Sequence, residues 1–436
     1  MKNGKIKIGL AGFGTIGTGL VRTLQEKKGL LKQRTGLDID LTRVADLDLK
    51  RDRGVKLSSS VLTKDINAIL DDGSIDIFVE LMGGIHPARE FVLKAIKKGK
   101  SVVTANKALI ASHGAEIFRA ADKNGVYVGF EASVGGGIPI INALSNSLIA
   151  NRFLSISAII NGTSNYILSK MTAQGGEFED VLGEAKKNGY AEADPSLDVD
   201  GIDAAHKLTI LLVLAYGGSV SMKNMYVEGI RHITQTDIKF ADELGYVIKQ
   251  LAVAKGEGNA VSARVHPAMV AKGTIISMIN DVYNGIHIIG DSIGSQLFVG
   301  RGAGMMPTAS AVVSDIVDIS RKLNHHNGTL LRQNIFTDKR DLKIIDIGTI
   351  RTRYYLRFTV LDKPGVLASI AKVLGTQSIS IESVIQKGKS AGNVVPIVIM
   401  THAATEANLT KALGIIDRLR VVKEKTRFIR IEEEVI

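Results

Sequence analysis

The run Lys5-Ile6-Lys7-Ile8-Gly9-Leu10-Ala11-Gly12-Phe13-Gly14-Thr15-Ile16-Gly17-Thr18-Gly19-Leu20 decides the fold. Lys5 to Leu10 alternates and is rich in Ile, which predicts a strand. Leu20, Val21 and Leu24 mark the apolar face of a helix that follows. Between the two stands Gly12-x-Gly14-x-x-Gly17. Alone that spacing is weak. Between a strand and a helix it predicts a dinucleotide-binding turn. Gly12 permits the tight turn, Gly14 lets backbone approach a pyrophosphate, and Gly17 lets helix and strand pack closely. The helix N-terminus then favours negative charge.

The same strand–helix alternation continues outward. Strands are expected at Ile39 to Ala45, Ile75 to Leu81, Ser101 to Thr104 and Val126 to Phe130. Helices are expected near Ile66 to Leu70, Pro87 to Lys98 and Ala108 to Asn124. Repeated β-α is the signature of an open parallel sheet covered on both faces. Asp46, at the end of the second strand, can bond ribose hydroxyls and favours NAD. Arg43, Lys50, Arg51 and Arg53 can instead hold a 2′-phosphate, and Asp46 lies further on than the usual ~20 residues.

At about 150 residues per domain, 436 residues predict roughly three domains. The fold class expected is α/β, with a Rossmann-type first domain at residues 1–130 and a helix at 305–325 returning to it. Residues 131–304 mix helices with antiparallel-looking strands such as Phe153 to Asn161 and Val261 to Pro267, an α+β catalytic domain. Residues 326–350 are polar and irregular, a linker. From Arg351 to 436 the order is β-α-β-β-α-β, the ferredoxin-like pattern. Its strands are Tyr354 to Leu361, Ile379 to Gln386, Asn393 to Thr401 and Arg427 to Ile431.

Composition narrows the function. The chain is 45% hydrophobic and 23% charged, an ordinary globular profile. It has no cysteine, which excludes disulfides, zinc–thiolate sites and a cysteine nucleophile. The net charge is +11, but no block of like charge and no basic–aromatic interleaving marks a nucleic-acid binder. Met1 to Lys7 is polar and enters a strand directly, so no secretory leader is expected. Leu208 to Tyr216 is too short for a bilayer, which needs ~20 residues. No membrane partner and a cytoplasmic location are expected.

Four further stretches carry chemistry. Thr104-Ala105-Asn106-Lys107 ends a sheet strand, the edge where such sheets bind ligands. Gly189-Tyr190-Ala191-Glu192-Ala193-Asp194-Pro195 leads to Asp198, Asp200, Asp203 and Lys207; Asp203 and Lys207 share a helical face. These carboxylates can hold an ammonium group while Lys207 reaches a carbonyl. Glu131-Ala132-Ser133-Val134-Gly135-Gly136-Gly137-Ile138-Pro139 offers backbone carbonyls beside one carboxylate, either a hard-cation site or a tight turn. Asp362-Lys363-Pro364-Gly365-Val366-Leu367 leaves N–H groups free at a helix start, suited to an amino-acid carboxylate.

Taken together these motifs, with Asn161-Gly162-Thr163-Ser164-Asn165-Tyr166 and Gly300-Arg301-Gly302-Ala303-Gly304, resemble the homoserine dehydrogenase family with a C-terminal ACT domain. The resemblance covers essentially the whole chain. It implies interconversion of L-homoserine and L-aspartate 4-semialdehyde with NAD(P), in threonine, methionine and isoleucine biosynthesis. It implies catalytic roles for Lys207, Lys107 and Asp203, and substrate contacts from Glu192, Asp198, Asp203, Thr163 and Tyr190. Cofactor contacts are implied at Gly12, Phe13, Gly14, Thr15, Ile16, Gly17, Asp46, Gly83, Thr104, Lys107 and Gly302. A sodium site is implied at Glu131, Val134, Gly136 and Ile138. The position before the second-strand acid is often basic in NADP users, and here it is Ala45. The ACT resemblance implies L-threonine as effector at Asp362, Gly365 and Val366, and a homodimer or homotetramer. Removing Arg351 onward is then expected to spare activity. A non-catalytic nucleotide- and amino-acid-sensing regulator would need no lysine, and the Glu192–Asp203–Lys207 constellation argues against it.

Overall fold

The computed structural model describes residues 5–324, 341–386 and 394–433. Its first sheet holds β1 (Lys5–Ala11), β2 (Asp38–Ala45), β3 (Leu62–Thr63), β4 (Ile77–Glu80), β5 (Ser101–Thr104) and β6 (Val128–Gly129). All pairings are parallel, in the order β3-β2-β1-β4-β5-β6. Strands covered on both faces read as unbroken apolar runs. Ile77, Phe78 and Val79 of β4 are accordingly all fully buried. The chain order reverses between β1 and β4, so a crevice opens at their carboxyl ends. Helices α1 (Thr15–Glu26), α2 (Ala88–Lys97) and α3 (Lys107–Asn124) cover the sheet. β3 has two residues, too few to show alternation in sequence.

The second part is built on a longer, mainly antiparallel sheet. In chain order it contributes β7 (Phe153–Ile159), α4 (Gly162–Gln174), α5 (Ile202–Tyr216), α6 (Gln235–Glu243), β8 (Tyr246–Glu257), β9 (Ala260–Ala271), β10 (Tyr283–Gly290) and β11 (Gly294–Arg301). Helix α7 (Met305–Asn324) then packs against α1 and the first sheet. A Cβ on Gly19 would lie 2.8 Å from Met305 and 3.1 Å from Ala309, so only glycine lets α1 and α7 approach this closely.

The C-terminal unit contains β12 (Arg351–Leu361), α8 (Val366–Thr376), β13 (Ile381–Gln386), β14 (Val394–Thr401), α9 (Glu406–Ile416) and β15 (Arg427–Glu432). Its strand order, β15-β12-β14-β13, is the ferredoxin-like arrangement. Residues 325–340 of the expected linker region, and Asn393, lie outside the described residues. The end of that expected linker is not wholly irregular, since Lys343–Ile344 pairs with Ala260 and Val261 of β9.

The two units share one sheet. β15 pairs parallel with β9, with Ala268 opposite Arg430 and Val270 opposite Glu432. Tyr355, Val398, Met400, Ile429 and Ile431 of the C-terminal unit join Ile167, Ile238, Ile248 and Met269 in one apolar cluster. Buried ion pairs cross the same seam. Arg264 meets Glu432, Arg430 meets Glu228, and Arg357 meets Asp237.

Asp237 is 1% exposed and accepts hydrogen bonds from Arg357 Nε at 2.6 Å and Tyr355 Oη at 3.1 Å. It also completes a capping box with Thr234 at the start of α6. Burial pushes its carboxyl up, but the Arg357 hydrogen bond and charge more than offset that and hold it below the usual range. Its stabilisation is therefore complete above the ordinary carboxylate pKa and is lost as pH falls through the depressed one. Asp237→Ala should strand Arg357 and cost about 3–5 kcal/mol. Urea unfolding would read this; a loss under about 1 kcal/mol would mean Arg357 finds another partner.

Candidate functional site

The glycine turn at the end of β1 separates three roles. Gly12 has φ +95°, and a Cβ there would lie 2.5 Å from the Leu81 carbonyl carbon. A Cβ on Gly17 would lie 2.2 Å from Gly12 O. The protein itself requires these two glycines. Nothing lies within 4 Å of a Cβ on Gly14, which begins α1 without a side-chain cap. Gly14 therefore faces open space beside free helix N–H groups, which fits a pyrophosphate. Gly14→Val should leave thermal stability nearly unchanged and weaken NAD(P)H binding at least about tenfold, read by cofactor fluorescence titration. Equal affinity would mean the phosphates lie elsewhere.

Asp46 shapes this turn. Its Oδ2 accepts from Phe13 N at 2.6 Å, and its Oδ1 accepts from Asp48 N at 2.8 Å. Arg53 folds over the Phe13 ring, 4.6 Å from its centroid, and donates to Phe13 O at 2.5 Å. Its Nη2 lies 3.4 Å from Asp46. Arg53 is thus a cation held against the glycine turn by Phe13 and Asp46. Arg43 instead donates to Ser60 O at 2.7 Å.

At the ends of β4 and β5, fully buried Glu80 organises the next loops. It accepts from Met82 N at 2.8 Å, Gly83 N at 3.1 Å and Thr104 Oγ1 at 2.6 Å. Asn106 caps α3 by accepting from Leu109 N at 3.1 Å, and donates to Gly84 O at 2.5 Å. Gly83, Thr104 and Lys107 are thereby fixed along one edge of the crevice. Glu80 carried a sequence signal, a lone carboxylate in the apolar run Ile77-Phe78-Val79-Glu80-Leu81.

Lys107 points across to α5. Its Nζ lies 3.1 Å from Asp203 Oδ1, and Lys207 Nζ lies 2.8 Å from Asp203 Oδ2. Lys207 also donates to Ile160 O at 2.7 Å, which commits two of its three N–H bonds. Asn161 donates to both Asp198, at 2.7 Å, and Asp203, at 2.9 Å. Burial pushes Asp203 up, but Lys207 and Lys107 together with the hydrogen bonds from Lys207 and Asn161 hold it well below the usual carboxylate range. His206, half-buried, is pushed down by burial. Asn161, to which its motif gave no role, is thus a member of the cluster. Its signal was an Asn before Gly162-Thr163-Ser164, the N-cap position of α4.

The loop that carries Tyr190 and Glu192 makes fewer contacts with this cluster. Thr163 Oγ1 donates to Tyr190 O at 2.7 Å, and the Tyr190 ring lies 4.8 Å from that of Tyr166. Glu192 is exposed, and no hydrogen bond or ion pair among the described residues ties it to the Asp203 cluster. Gly302 lies beyond β11, and a Cβ there would fall on the buried Asn284 amide at 1.8 Å, which bars any side chain.

Glu131, Val134, Gly136 and Ile138 form a buried turn, with φ +72° at Gly135 and +54° at Gly136. Glu131 accepts from Ile141 N and Asn142 N, both at 2.8 Å. Burial raises it to about 7 in spite of those bonds. A hard cation beside this buried carboxylate would keep it ionised. Half-buried Asp315 of α7 accepts from Glu131 N at 2.8 Å and ties this turn to the returning helix. In the C-terminal unit, Asp362, Gly365 and Val366 line a cavity of about 340 Å³ with Gln386 and Ile397. Gly365 has φ +85° and opens α8 with no side-chain cap.

A buried acid between two ammonium groups, at the mouth of a dinucleotide crevice, can hold a polar substrate and deliver a proton beside a hydride carrier. Comparison with known proteins agrees. Residues 12–131 match the family described as the homoserine dehydrogenase NAD-binding domain, 139–317 match homoserine dehydrogenase, and 354–421 match the ACT domain. A homoserine dehydrogenase of Synechocystis sp. is 45% identical over 98% of this chain and 99% of its own. The crystal structure of one from Thiobacillus denitrificans is 43% identical with a TM-score of 0.92, covering 98% of each chain. A hyperthermophilic archaeal homoserine dehydrogenase in complex with NADPH is 28% identical with a TM-score of 0.62, covering 73% of this chain and 98% of its own.

Proposed function

The chain belongs to the homoserine dehydrogenase family, an NAD(P)-dependent oxidoreductase, and on that premise we propose how its own residues carry the reaction. Bound NAD(P)H supplies the hydride to the aldehyde carbon of L-aspartate 4-semialdehyde, or NAD(P)⁺ accepts it from L-homoserine. Gly12, Gly14 and Gly17 seat the pyrophosphate with Phe13, Thr15 and Ile16, and Asp46 fixes the turn. Gly83, Thr104, Lys107 and Gly302 border the nicotinamide end. Asp198 and Asp203, linked by Asn161, face the substrate ammonium with Glu192; Thr163 and Tyr190 close that side. Lys207 gives a proton to the oxygen that becomes the homoserine hydroxyl, and takes it back in the reverse direction. A positioned acid of this kind contributes about 10²–10⁴-fold. Asp203 orients Lys207 and Lys107 against the same oxygen.

The observation that carries this reading is the Lys107–Asp203–Lys207 arrangement, with one carboxylate oxygen facing each ammonium. Glu131 and the carbonyls of Val134, Gly136 and Ile138 would hold a monovalent cation, whose charge would steady the turn between the two units. We assign L-threonine to the cavity at Asp362, Gly365 and Val366, where free N–H groups of α8 suit its carboxylate. We divide the chain into 1–130 with 305–325, 131–304, and 351–436. Both ends of the long sheet, β11 and β13, are open edges that favour pairing in a homodimer or homotetramer. No helix among the described residues is long and apolar enough to cross a membrane; a cytoplasmic site of action is proposed.

The test is NAD(P)H formation from L-homoserine with each cofactor, with and without L-threonine and with sodium replaced by a bulky organic cation. Turnover that threonine suppresses supports both halves. No turnover, from folded protein that binds either cofactor, would overturn the substrate assignment.

A further inference from the structure

Arg430 lies on β15 of the C-terminal unit and is 1% exposed. Its guanidinium donates to Glu406 and, through Nη1 at 2.6 Å, to Glu228. It also stacks on the Tyr226 ring at 4.5 Å. Glu228 gathers two further donors, Tyr226 Oη at 2.8 Å and His232 Nε2 at 3.0 Å. Glu228 N donates to Val265 O of β9 at 2.8 Å. This buried hub therefore joins β9, β15 and the segment 226–232.

That segment lies on the turn that opens α5. Ile230 N donates to Val199 O at 2.8 Å. A Cβ on Gly229 would lie 2.4 Å from Val199 O and 2.6 Å from Asp200 Cα, so no side chain separates the two backbones. A Cβ on Gly201 would come within 3.3 Å of Glu228 O. Arg231 grips Asp200 from outside, with Nε 2.5 Å from Oδ1 and Nη2 3.2 Å from Oδ2. The turn so braced carries Asp198, and two residues beyond Gly201 stands Asp203.

We infer that Arg430 is a positioning residue for the substrate side of the site: through Glu228 and the 228–231 segment it sets the place of the 198–201 turn, and with it Asp198 and Asp203. It touches no substrate. The inference rests on the assignment of Asp198 and Asp203 to substrate binding. Chains of buried contacts of this kind alter a distant equilibrium when one link is cut. The glycine-turn cradle, on the other sheet, lies off this chain, so KM for homoserine should move more than KM for the cofactor, and kcat should fall only as far as Asp203 loses its hold on Lys107 and Lys207.

The test uses Arg430→Met, Arg430→Lys and Arg231→Met in the full chain. Arg430→Met should raise KM for homoserine about tenfold with KM for the cofactor within about twofold. Arg430→Lys should recover part of that. Arg231→Met cuts only the solvent-facing link, so the fold survives, and KM for homoserine should rise about threefold. Hydrogen exchange across residues 198–203 should quicken in all three, most in Arg430→Met. Unchanged exchange there, or an unchanged homoserine KM in folded Arg231→Met and Arg430→Lys, overturns the inference. Were wild type inactive on homoserine, the functional assignment would fall, and the exchange rates would still decide whether Arg430 braces the turn.

Discussion

Lys207→Met should lower kcat by about 10²–10⁴-fold while the Kd for NAD(P)H stays within about twofold. Methionine keeps the length and apolar stem of lysine and loses only the ammonium. Asp203 would retain Lys107 at 3.1 Å and the Asn161 amide at 2.9 Å, so its buried charge keeps two partners. The cofactor cradle lies on β1 and α1, away from α5, and should not notice. Stopped-flow turnover and fluorescence titration would read the two effects separately. A kcat within tenfold of wild type would move the proton to Lys107, the other ammonium on Asp203. Parallel loss of cofactor affinity would point to misfolding.

Removing residues 351–436 should yield aggregated protein rather than an unregulated enzyme. The sequence suggested a detachable unit behind a linker; the long sheet argues otherwise. Truncation uncovers β9 along Ala268 to Val270, leaving a bare strand edge. It also opens the apolar cluster that Ile167, Ile238, Ile248 and Met269 share with Tyr355, Val398, Met400, Ile429 and Ile431. At about 1.5–3 kcal/mol for each, their exposure rivals the ~5–15 kcal/mol that holds an ordinary domain folded. Arg264, Asp237 and Glu228 would lose their counter-charges as well. The archaeal relative, which spans 73% of this chain, shows that the family has a shorter form. A soluble, active truncate here, by light scattering and assay, would mean the seam is dispensable.

The first sheet was legible because its signals are local. The glycine turn, the apolar runs of β1 and β4 and the amphipathic helices each speak within about 15 residues. The Asp203–Lys207 pair was equally local, at i and i+4. The partners that complete the site come from far along the chain: Asn161 is 42 residues from Asp203. Glu80 reaches Thr104 over 24 residues. No periodicity reports such pairings. The seam was the least legible part. β15 reads in sequence as the last strand of a self-contained ferredoxin-like unit, and nothing in it announces a second neighbour. Its charges, Arg430 and Glu432, pair across the seam with half-buried Glu228 and buried Arg264, partners 202 and 168 residues away in the chain.

The shared sheet has a consequence for the order of events on the ribosome. β9 must wait for a strand about 160 residues downstream. At about 5–20 residues per second, that interval is roughly 10–30 s, far longer than hairpin formation or collapse. Through that interval the nascent chain can complete its glycine-turn sheet, but it carries an unpaired β9 and the apolar side chains meant for Ile429 and Ile431. The catalytic half therefore stays open to aggregation until synthesis has passed Glu432, and slow codons between β9 and β15 would lengthen its exposure.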